Sequence, residues 1–270
     1  MAKDDFSIHR VAPGSAVDLS RIPTAAETYY DDEDDARAAF KTMRRELIEQ
    51  QRKLYAEGKH RLLIVLQAMD AGGKDGTIKS LLKGVNPQGV RVESFKAPTR
   101  HELARDYLWR IHNVVPRTGH ITVFNRSHYE DVLVVRVDEI VPEAVWRKRY
   151  AQINAFEKLL AETGTTILKF YLHISREEQR RRFHSRLTTP RKQWKFSPDD
   201  LAKAEHWDAY QAAYEDALAQ CSTQEAPWYV IPSDDKWYRN YAIATVVTET
   251  IARLNPEFPP LDYDPATIEL

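Results

Sequence analysis

A run of five apolar residues, 62–66, is followed by a glycine-rich turn, and this feature restricts the fold more than any other. The segment continues as Gln67-Ala68-Met69-Asp70-Ala71-Gly72-Gly73-Lys74-Asp75-Gly76-Thr77. A short apolar run bounded by glycines predicts a buried β-strand, and a helix is predicted to begin near Gly76. Glycines let backbone N–H groups face a phosphate without Cβ clashes, and a helix N-terminus attracts the same anion. The segment therefore predicts a strand, a phosphate-binding loop and a helix.

Two positions of this segment depart from the usual phosphate-loop pattern, G-x-x-x-x-G-K-[ST]. Ala68 replaces the first glycine, and Asp75 replaces the Ser or Thr that holds Mg²⁺, with Thr77 two residues late. Lys74 remains in place and supplies a point charge for a transferring phosphoryl group. A carboxylate inside the loop would repel phosphate unless a cation lay between them, so we predict that Asp70 binds Mg²⁺ or orients a phosphate. The alternative is a glycine-rich turn without a ligand.

The composition is that of a globular protein with no general attraction to polyanions. The chain has 270 residues and a formal net charge of −1, so it can form one large α/β domain or two small ones, and we expect neither nucleic acid nor membrane as a partner. Cys221 is the only cysteine, which excludes an intrachain disulfide and suits a reducing compartment. Residues 1–5 begin no apolar leader, and no apolar run reaches 18 residues. We therefore expect a cytoplasmic protein.

Strand and helix patterns alternate along the chain. Apolar residues at helical spacing predict a helix over 36–58 that Gly58 ends, and the acidic run 31–35 is interpreted as its solvated N-terminus rather than a docking site for a basic partner. A second helix is predicted from the capping box at Thr99 through Ile111. Further strands are predicted at 90–95, 120–125, 165–173 and 228–231, and further helices at 142–162, after Ser175, after Ser197 and at 236–254.

This alternation predicts a parallel sheet with helices on both faces. We divide the chain into an N-terminal extension and helix (1–58), a phosphotransferase domain (59–255) with a lid at about 175–210, and an irregular tail (256–270).

Polar side chains follow the strand predicted at 120–125, in the order Asn125-Arg126-Ser127-His128-Tyr129-Glu130-Asp131. Ligands of parallel α/β sheets bind at the carboxyl ends of the strands. We predict that Asp131 turns back to share Mg²⁺ with Asp70 and that Arg126 neutralises charge in the transition state. A structural ion pair is the alternative for Arg126 and Asp131. For His128 we favour a packed, hydrogen-bonded histidine over a catalytic base.

Eight basic residues lie between positions 176 and 195, opposed by only two acidic ones. Arg182 and Arg186 are four residues apart and share a helix face. The segment 187–196, between two capped helices, predicts a mobile lid whose arginines close over phosphates. We expect Trp194 to anchor this lid. A solvated charged face is the alternative. The basic residues are Arg176, Arg180, Arg181, Arg182, Arg186, Arg191, Lys192 and Lys195.

Three motifs occur in order: the loop at 68–76, the segment 125–131, and Pro190-Arg191-Lys192-Gln193-Trp194-Lys195-Phe196. With them, residues 36–255 resemble the family-2 polyphosphate kinases. The resemblance implies a P-loop kinase-like α/β fold similar to that of thymidylate kinase, with a helical arginine-rich lid. It also implies inorganic polyphosphate and the nucleotides AMP, ADP and ATP as substrates, Mg²⁺ or Mn²⁺ as cofactor, and a homodimer or homotetramer.

The resemblance assigns Asp70 and Lys74 to phosphate and metal handling, Arg126 and Arg186 to phosphate binding, and Asp131 to metal binding.

Many members of the family carry Asp-Arg-Ser-Trp-Tyr-Asn-Arg at the second motif. The sequence here, Asn-Arg-Ser-His-Tyr-Glu-Asp, resembles the group that phosphorylates both AMP and ADP. Asn125 and Glu130 then become candidates for positioning the acceptor or its metal.

We therefore predict reversible transfer of the terminal phosphoryl group of polyphosphate to AMP or ADP. The predicted catalytic residues are Asp70, Lys74, Arg126, Asp131 and Arg186. The predicted phosphate- and nucleotide-binding residues are Ala71, Gly72, Gly73, Asp75, Gly76, Thr77, Asn125, Glu130, Arg182, Lys192 and Lys195. An ATP-dependent nucleoside monophosphate kinase is the rival interpretation, although the excess of arginine in the lid favours a long polyanion. A nucleic-acid-binding module is the non-enzymatic alternative.

Overall fold

The computed structural model describes residues 5–268, apart from the side chains at 199, 200, 202 and 266. Residues 1–4 and 269–270, at the ends of the predicted extension and tail, lie outside the described residues. The strands are β1 (Arg61–Ala68), β2 (Val90–Ser94), β3 (His120–Asn125), β4 (Thr165–His173) and β5 (Trp228–Pro232).

The helices of the described residues lie between and around these strands. The α-helices are α1 (Glu33–Glu57), α2 (Lys74–Leu81), α3 (Arg100–Leu103), α4 (Trp109–His112), α5 (Val134–Val137), α6 (Glu143–Glu162), α7 (Arg176–Thr188), α8 (Pro198–Glu205), α9 (Trp207–Cys221) and α10 (Lys236–Leu254). Short 3₁₀ helices span Phe6–His9, Leu19–Arg21, Ala26–Thr28, Pro87–Gly89, His128–Asp131, Pro190–Lys195 and Pro265–Thr267.

The five strands form one parallel sheet in the order β2-β3-β1-β4-β5, which confirms the predicted α/β architecture. The central strand β1 buries side chains on both faces, as strands of covered parallel sheets do. Leu63 and Val65 pack in the core formed with α6 and α9. Leu62 and Ile64 pack in the core formed with α1 and α10. Helices thus cover both faces of the sheet.

The first long helix, α1, begins at Glu33 within the acidic run, earlier than predicted, and ends before Gly58 as predicted. The Asp32 side chain accepts the Asp35 N–H at 2.8 Å, and Gly58 ends the helix in the left-handed conformation with φ +65°. Leu47 and Leu54, which are buried on α1, belong to the same core as α10. The described part of the segment 1–58 therefore packs against the sheet, while the division into domains stays a prediction.

The prediction of one helix from Thr99 through Ile111 is wrong. The chain instead forms two short helices of four residues each, α3 and α4. The capping box at Thr99 is present. The Asp106 side chain, however, accepts the Leu108 N–H at 3.0 Å, a local bond that competes with the helix. Leu103 is 67% exposed, so its side chain adds no core packing that would stabilise a longer helix.

The topology brings two polar segments to one edge of the sheet. Strands β1 and β3 are neighbours, with Leu66 opposite Asn125. The loop after β1 and the segment after β3 therefore leave the sheet side by side. Within residues 5–268, no helix is both long enough and apolar enough to cross a membrane.

Candidate active site

The loop between β1 and α2 has the shape of an anion cradle. Ala71 and Gly73 adopt φ values of +62° and +107°, and the Gly72 N–H donates to Met69 O at 2.9 Å. Gly73 is the N-cap of α2 and has no side chain to cap the helix. The N–H groups of the first turn, which have no partners within the helix, are therefore left for an anion.

Arg182 of α7 holds this loop from behind. Its Nη1 donates to Ala71 O at 3.0 Å and to Gly72 O at 2.8 Å. Its other donors bind Glu178 Oε1 at 2.6 Å and the carbonyls of Ser233 and Asp234 at 2.5 and 3.2 Å. A guanidinium has five N–H donors, and these five hydrogen bonds to the protein use all of them.

The expectation that Arg182 binds phosphate therefore needs correction, since in this structure it acts through the loop. The C=O and N–H groups that flank one planar peptide bond point in opposite directions. The bond to Gly72 O consequently turns the Gly73 N–H away from Arg182.

A second buried guanidinium, Arg239 of α10, also lies against the loop and was missed by sequence reasoning. It is 2% exposed, and its Nε and Nη2 donate to Asn240 Oδ1 at 3.3 and 3.0 Å. Burial, and then the charge of Arg182, lowers the pKa of Arg239 to about 9. The nearby carboxylate of Glu178 already pairs with Arg181 and Arg182. The loop thus has an excess of positive charge behind it.

Lys74 is half-buried at the start of α2, and its Nζ donates to Ala68 O at 2.9 Å. Burial, and then the charge of Arg126, lowers the pKa of Lys74 to about 8. A neighbouring anion would favour the charged ammonium. Lys74 therefore lies within the loop as predicted, in a position where a bound phosphate would raise its pKa and keep the ammonium charged.

Arg126 joins the loop to the segment after β3. Its Nη2 donates to Asp70 Oδ1 at 2.9 Å, and its Nη1 lies 3.9 Å from Glu130 Oε2. The Asp70 carbonyl accepts a bond from Gln179 Nε2 at 2.9 Å. Asp70, Arg126, Glu130 and Gln179 line one cavity together with Lys203, Tyr210 and Tyr214.

Asp131 does not join this group, contrary to the prediction that it shares a metal with Asp70. Its Oδ1 and its carbonyl accept bonds from Arg149 Nη1 at 2.8 and 3.0 Å, and it does not line the cavity. Burial raises the pKa of Asp131, although Arg149 and Arg110 oppose the shift. The structural ion pair weighed for Asp131 is the arrangement observed.

Among the residues that the structure describes, there is no cluster of three or more His, Cys, Asp or Glu side chains that could hold a metal ion. The cavity thus offers two carboxylates, those of Asp70 and Glu130.

Asp75, which replaces the expected Ser or Thr, connects three parts of the site. Its Oδ1 accepts a bond from Asn125 Nδ2 at 2.8 Å, and its Oδ2 lies 3.4 Å from Lys195 Nζ. Burial acts to raise the pKa of Asp75, but Asn125 and Lys195 outweigh it and lower the pKa. The hydroxyl of buried Thr77 donates to Gly73 O at 3.2 Å, as in a helix turn.

The predicted lid consists of α7, the 3₁₀ helix Pro190–Lys195 and α8. Helix α7 contacts the loop through Arg182 and Gln179, and the 3₁₀ helix adds the pair Lys195–Asp75. Arg186 donates to Lys195 O at 3.3 Å, and Lys192 donates to Ser185 Oγ at 2.7 Å. Both side chains thus bind within the lid.

Trp194 is 78% exposed, so the expectation that it anchors the lid is wrong. Phe196 lies edge-on to buried Phe183 of α7, with the ring centroids 6.4 Å apart, and takes the anchoring place. Composition alone could not show which of the two aromatic residues, Trp194 or Phe196, packs against α7.

The fold and the site define a class of protein. A parallel sheet presents a phosphate loop, an arginine–carboxylate cluster and a basic lid at one edge, which is the arrangement of a P-loop-type phosphotransferase.

The comparisons with known proteins give the family. The family model for polyphosphate kinase 2 (PPK2) matches residues 30–259, so the chain belongs to this family.

The chain is similar to several members of the family over most of its length. It is 53% identical to AMP/ADP-polyphosphate phosphotransferase of Meiothermus ruber, over 93% of this chain and 94% of the relative. It is 42% identical to ADP-polyphosphate phosphotransferase of Rhodopseudomonas palustris, over 93% and 91% of the two chains. The crystal structure of polyphosphate kinase 2 from Arthrobacter aurescens TC1 superposes with a TM-score of 0.92 at 41% identity, covering 96% of this chain and 93% of that one.

Gly73→Ala should disrupt the loop far more than a glycine replacement elsewhere. A Cβ at Gly73 would clash with Arg239 Nη1 and lie 3.3 Å from Arg182 Nη1, at φ +107°. Gly14→Ala is the matched control, because Gly14 has φ +73° but no atom within 4 Å of the added Cβ. We expect a loss of about 1 kcal/mol for Gly14→Ala and of about 2–5 kcal/mol for Gly73→Ala, measured by denaturant unfolding. Equal losses would contradict the described packing.

Proposed function

We propose that the protein transfers the terminal phosphoryl group of inorganic polyphosphate to AMP and ADP, giving ADP and ATP, in a reversible reaction. The observation that carries the proposal is the convergence of the Lys74 loop and the Asp70–Arg126–Glu130 cluster beneath a basic lid. The similarity to AMP/ADP-polyphosphate phosphotransferase of Meiothermus ruber supports both acceptors.

In the proposed reaction, the loop N–H groups and Lys74 bind the phosphates around the bond that breaks. Arg126 lies between the loop and the cavity, where its guanidinium offsets charge on the transferring group. The acceptor is a phosphate oxygen that is already anionic near neutral pH, so a general base contributes little. Positioning and charge neutralisation therefore supply most of the catalysis.

We propose that the acceptor nucleotide binds beside Arg126, next to the residues that line the cavity. Its walls combine the side chains of Leu133, Tyr210 and Tyr214 with the polar groups of Glu130 and Lys203. Apolar walls with few polar groups are typical of sites for small organic ligands. We propose that the basic lid residues Arg186, Lys192 and Lys195 bind the polyphosphate, since Lys195 already contacts Asp75 beside the loop.

The residues of the cavity fit Mg²⁺, and Mn²⁺ by the same argument. Mg²⁺ is usually held by one or two carboxylates together with waters and substrate phosphates rather than by a complete protein cage. Asp70 and Glu130 supply two carboxylates on one cavity. We therefore assign the ion to Asp70 and Glu130 in place of Asp131. When bound, the ion neutralises charge on the phosphate oxygens.

We also propose a homodimer or homotetramer and a cytoplasmic location. These proposals rest on the family resemblance and on the single cysteine.

An assay without ATP tests the proposed function. Purified protein is incubated with Mg²⁺, polyphosphate and either AMP or ADP, and the nucleotide products are separated by chromatography. We expect ADP and ATP from AMP, and ATP from ADP. Lys74→Ala should reduce turnover by on the order of 10²–10³, the scale seen when one donor to a developing charge is lost. Product formation from AMP only when ATP is supplied would favour the rival nucleoside monophosphate kinase.

The metal assignment predicts that substitutions of Asp70 and Glu130 change the response to Mg²⁺ and that substitution of the neighbouring Asp131 does not. Asp70→Asn and Glu130→Gln should each raise the Mg²⁺ concentration for half-maximal activity at least about tenfold, as when groups around a metal are removed. Asp131→Asn should leave that concentration within about twofold, because Asp131 pairs with Arg149 and does not line the cavity with Asp70 and Glu130. The measurement is a Mg²⁺ titration of initial rates. A shift for Asp131→Asn alone would return the metal to Asp131.

The lowered pKa of Lys74 predicts an alkaline decline in activity. The ammonium is charged below about pH 8 and neutral above it, and kcat/KM reports the ionisation of free enzyme. We therefore expect kcat/KM for polyphosphate to fall as the pH rises through about 8. Lys74→Arg should be slower at neutral pH but show no such fall up to about pH 10, since a guanidinium has a pKa above about 12. An identical decline in both proteins would exclude Lys74 as its source.

A further inference from the structure

A fully buried ion pair, Glu157 of α6 and Lys169 of β4, lies beneath the segment that carries Arg126. The side chains of Glu157 and Lys169 are 1% and 0% exposed, and their Oε2 and Nζ atoms are 2.5 Å apart. Burial acts to raise the pKa of Glu157, but Lys169 and His128 outweigh it and lower the pKa. A buried ion pair contributes little stability compared with apolar residues of the same size, so its role lies elsewhere.

The pair is completed by hydrogen bonds to the segment after β3. Lys169 Nζ donates to Glu157, to Tyr129 Oη at 2.7 Å and to Cys221 O at 2.7 Å, which uses all three of its donors. Glu157 Oε1 accepts bonds from Tyr129 Oη at 2.9 Å and from His128 Nε2 at 3.1 Å. The side chains of His128 and Tyr129 are thus both fixed by one carboxylate.

His128 and Tyr129 lie between two residues of the site. Arg126, two residues earlier, adopts the left-handed conformation with φ +63°, which costs a non-glycine residue free energy. Glu130 comes directly after Tyr129 in the sequence and lines the cavity together with Arg126. Ser127 Oγ accepts bonds from Gln67 Nε2 and from the Tyr129 N–H, both at 3.2 Å. A strained residue of this kind persists only where its surroundings hold it.

We propose that Glu157 and Lys169 are positioning residues for the phosphoryl transfer, acting through His128 and Tyr129 to hold Arg126 and Glu130 against the cavity. The ion pair touches no substrate. It fixes the turn from which the Arg126 guanidinium reaches Asp70, and a misplacement of about 1 Å can cost about 10²-fold in rate. This inference rests on the proposed function, because its readout is polyphosphate-dependent phosphotransfer.

Tyr129→Phe tests the proposal with the smallest change. It removes the hydroxyl that joins the ion pair to the turn, while Glu157 and Lys169 keep each other. Tyr238→Phe is the matched control, because Tyr238 is 1% exposed and its hydroxyl bonds His9 at 2.6 Å, in the core on the other face of the sheet. We expect a similar fall in Tm for both, a fall in kcat of about tenfold or more for Tyr129→Phe, and a change below about twofold for Tyr238→Phe.

The same substitution in an Arg126→Ala background separates positioning from general damage. If Tyr129 acts through Arg126 and Glu130, its loss should reduce kcat by a clearly smaller factor once Arg126 is absent, and the remaining effect then comes through Glu130. An equal reduction in both backgrounds, or wild-type kcat in folded Tyr129→Phe, would overturn the proposal. If the wild-type protein itself makes no nucleotide from polyphosphate, the proposed function fails instead.

A pair of His128 variants gives an independent test should Tyr129→Phe not fold. His128→Gln keeps an N–H that can donate to Glu157, whereas His128→Leu removes it. We expect kcat near the wild-type value for His128→Gln and a loss of about tenfold for His128→Leu, with KM for polyphosphate little changed in both. Equal kcat values for the two variants would contradict a role of the Glu157 contact.

Discussion

The site depends on the five hydrogen bonds of Arg182. They join the carbonyls of Ala71 and Gly72 to α7 and to the residues after β5, so one side chain connects the loop, the lid and the end of the sheet. The loop can present N–H groups to a phosphate only while its carbonyls point the other way. Because the partner that turns them away belongs to the lid helix, the shape of the loop and the position of the lid are coupled.

The same arrangement concentrates charge in a chain that is nearly neutral. Arg182 and Arg239 lie behind the loop, and Lys236 is close enough that burial and Arg182 lower its pKa. Glu178 is shared between Arg181 and Arg182 and cannot balance the whole group. Buried positive charge is costly without a counterion. In the proposed complex, a polyphosphate in front of the loop would supply the missing negative charge, so the unfavourable free energy of this cluster would favour binding of the substrate.

Local sequence patterns predicted most of the fold, and they predicted the parts of the site that are local. The patterns predicted the strand before the loop, the bounds of β3, β4 and α10, and the basic lid helix. Each of these features is determined by residues close together in the sequence. Asp70, Lys74 and Arg126 meet as expected because parallel strands end at one edge of the sheet.

Contacts between residues far apart in sequence could not be predicted in this way. Asp131 was assigned to the metal because it follows a strand end, but Arg149, 18 residues later, binds its carboxylate. Arg182 was expected to bind phosphate, since a basic run does not reveal which arginines find carbonyls 110 residues away. Arg239 carries no local signal at all. Trp194 is exposed because Phe196 takes its place.

A crystal structure of the complex with a short polyphosphate and Mg²⁺ would test the central claim most directly. The account predicts phosphate oxygens within hydrogen-bond distance of Lys74 Nζ and of the N–H groups at the start of α2, with Arg182 still bound to the carbonyls of Ala71 and Gly72. A complex in which Arg182 has left these carbonyls to bind phosphate, or in which the phosphates lie away from the loop, would contradict it.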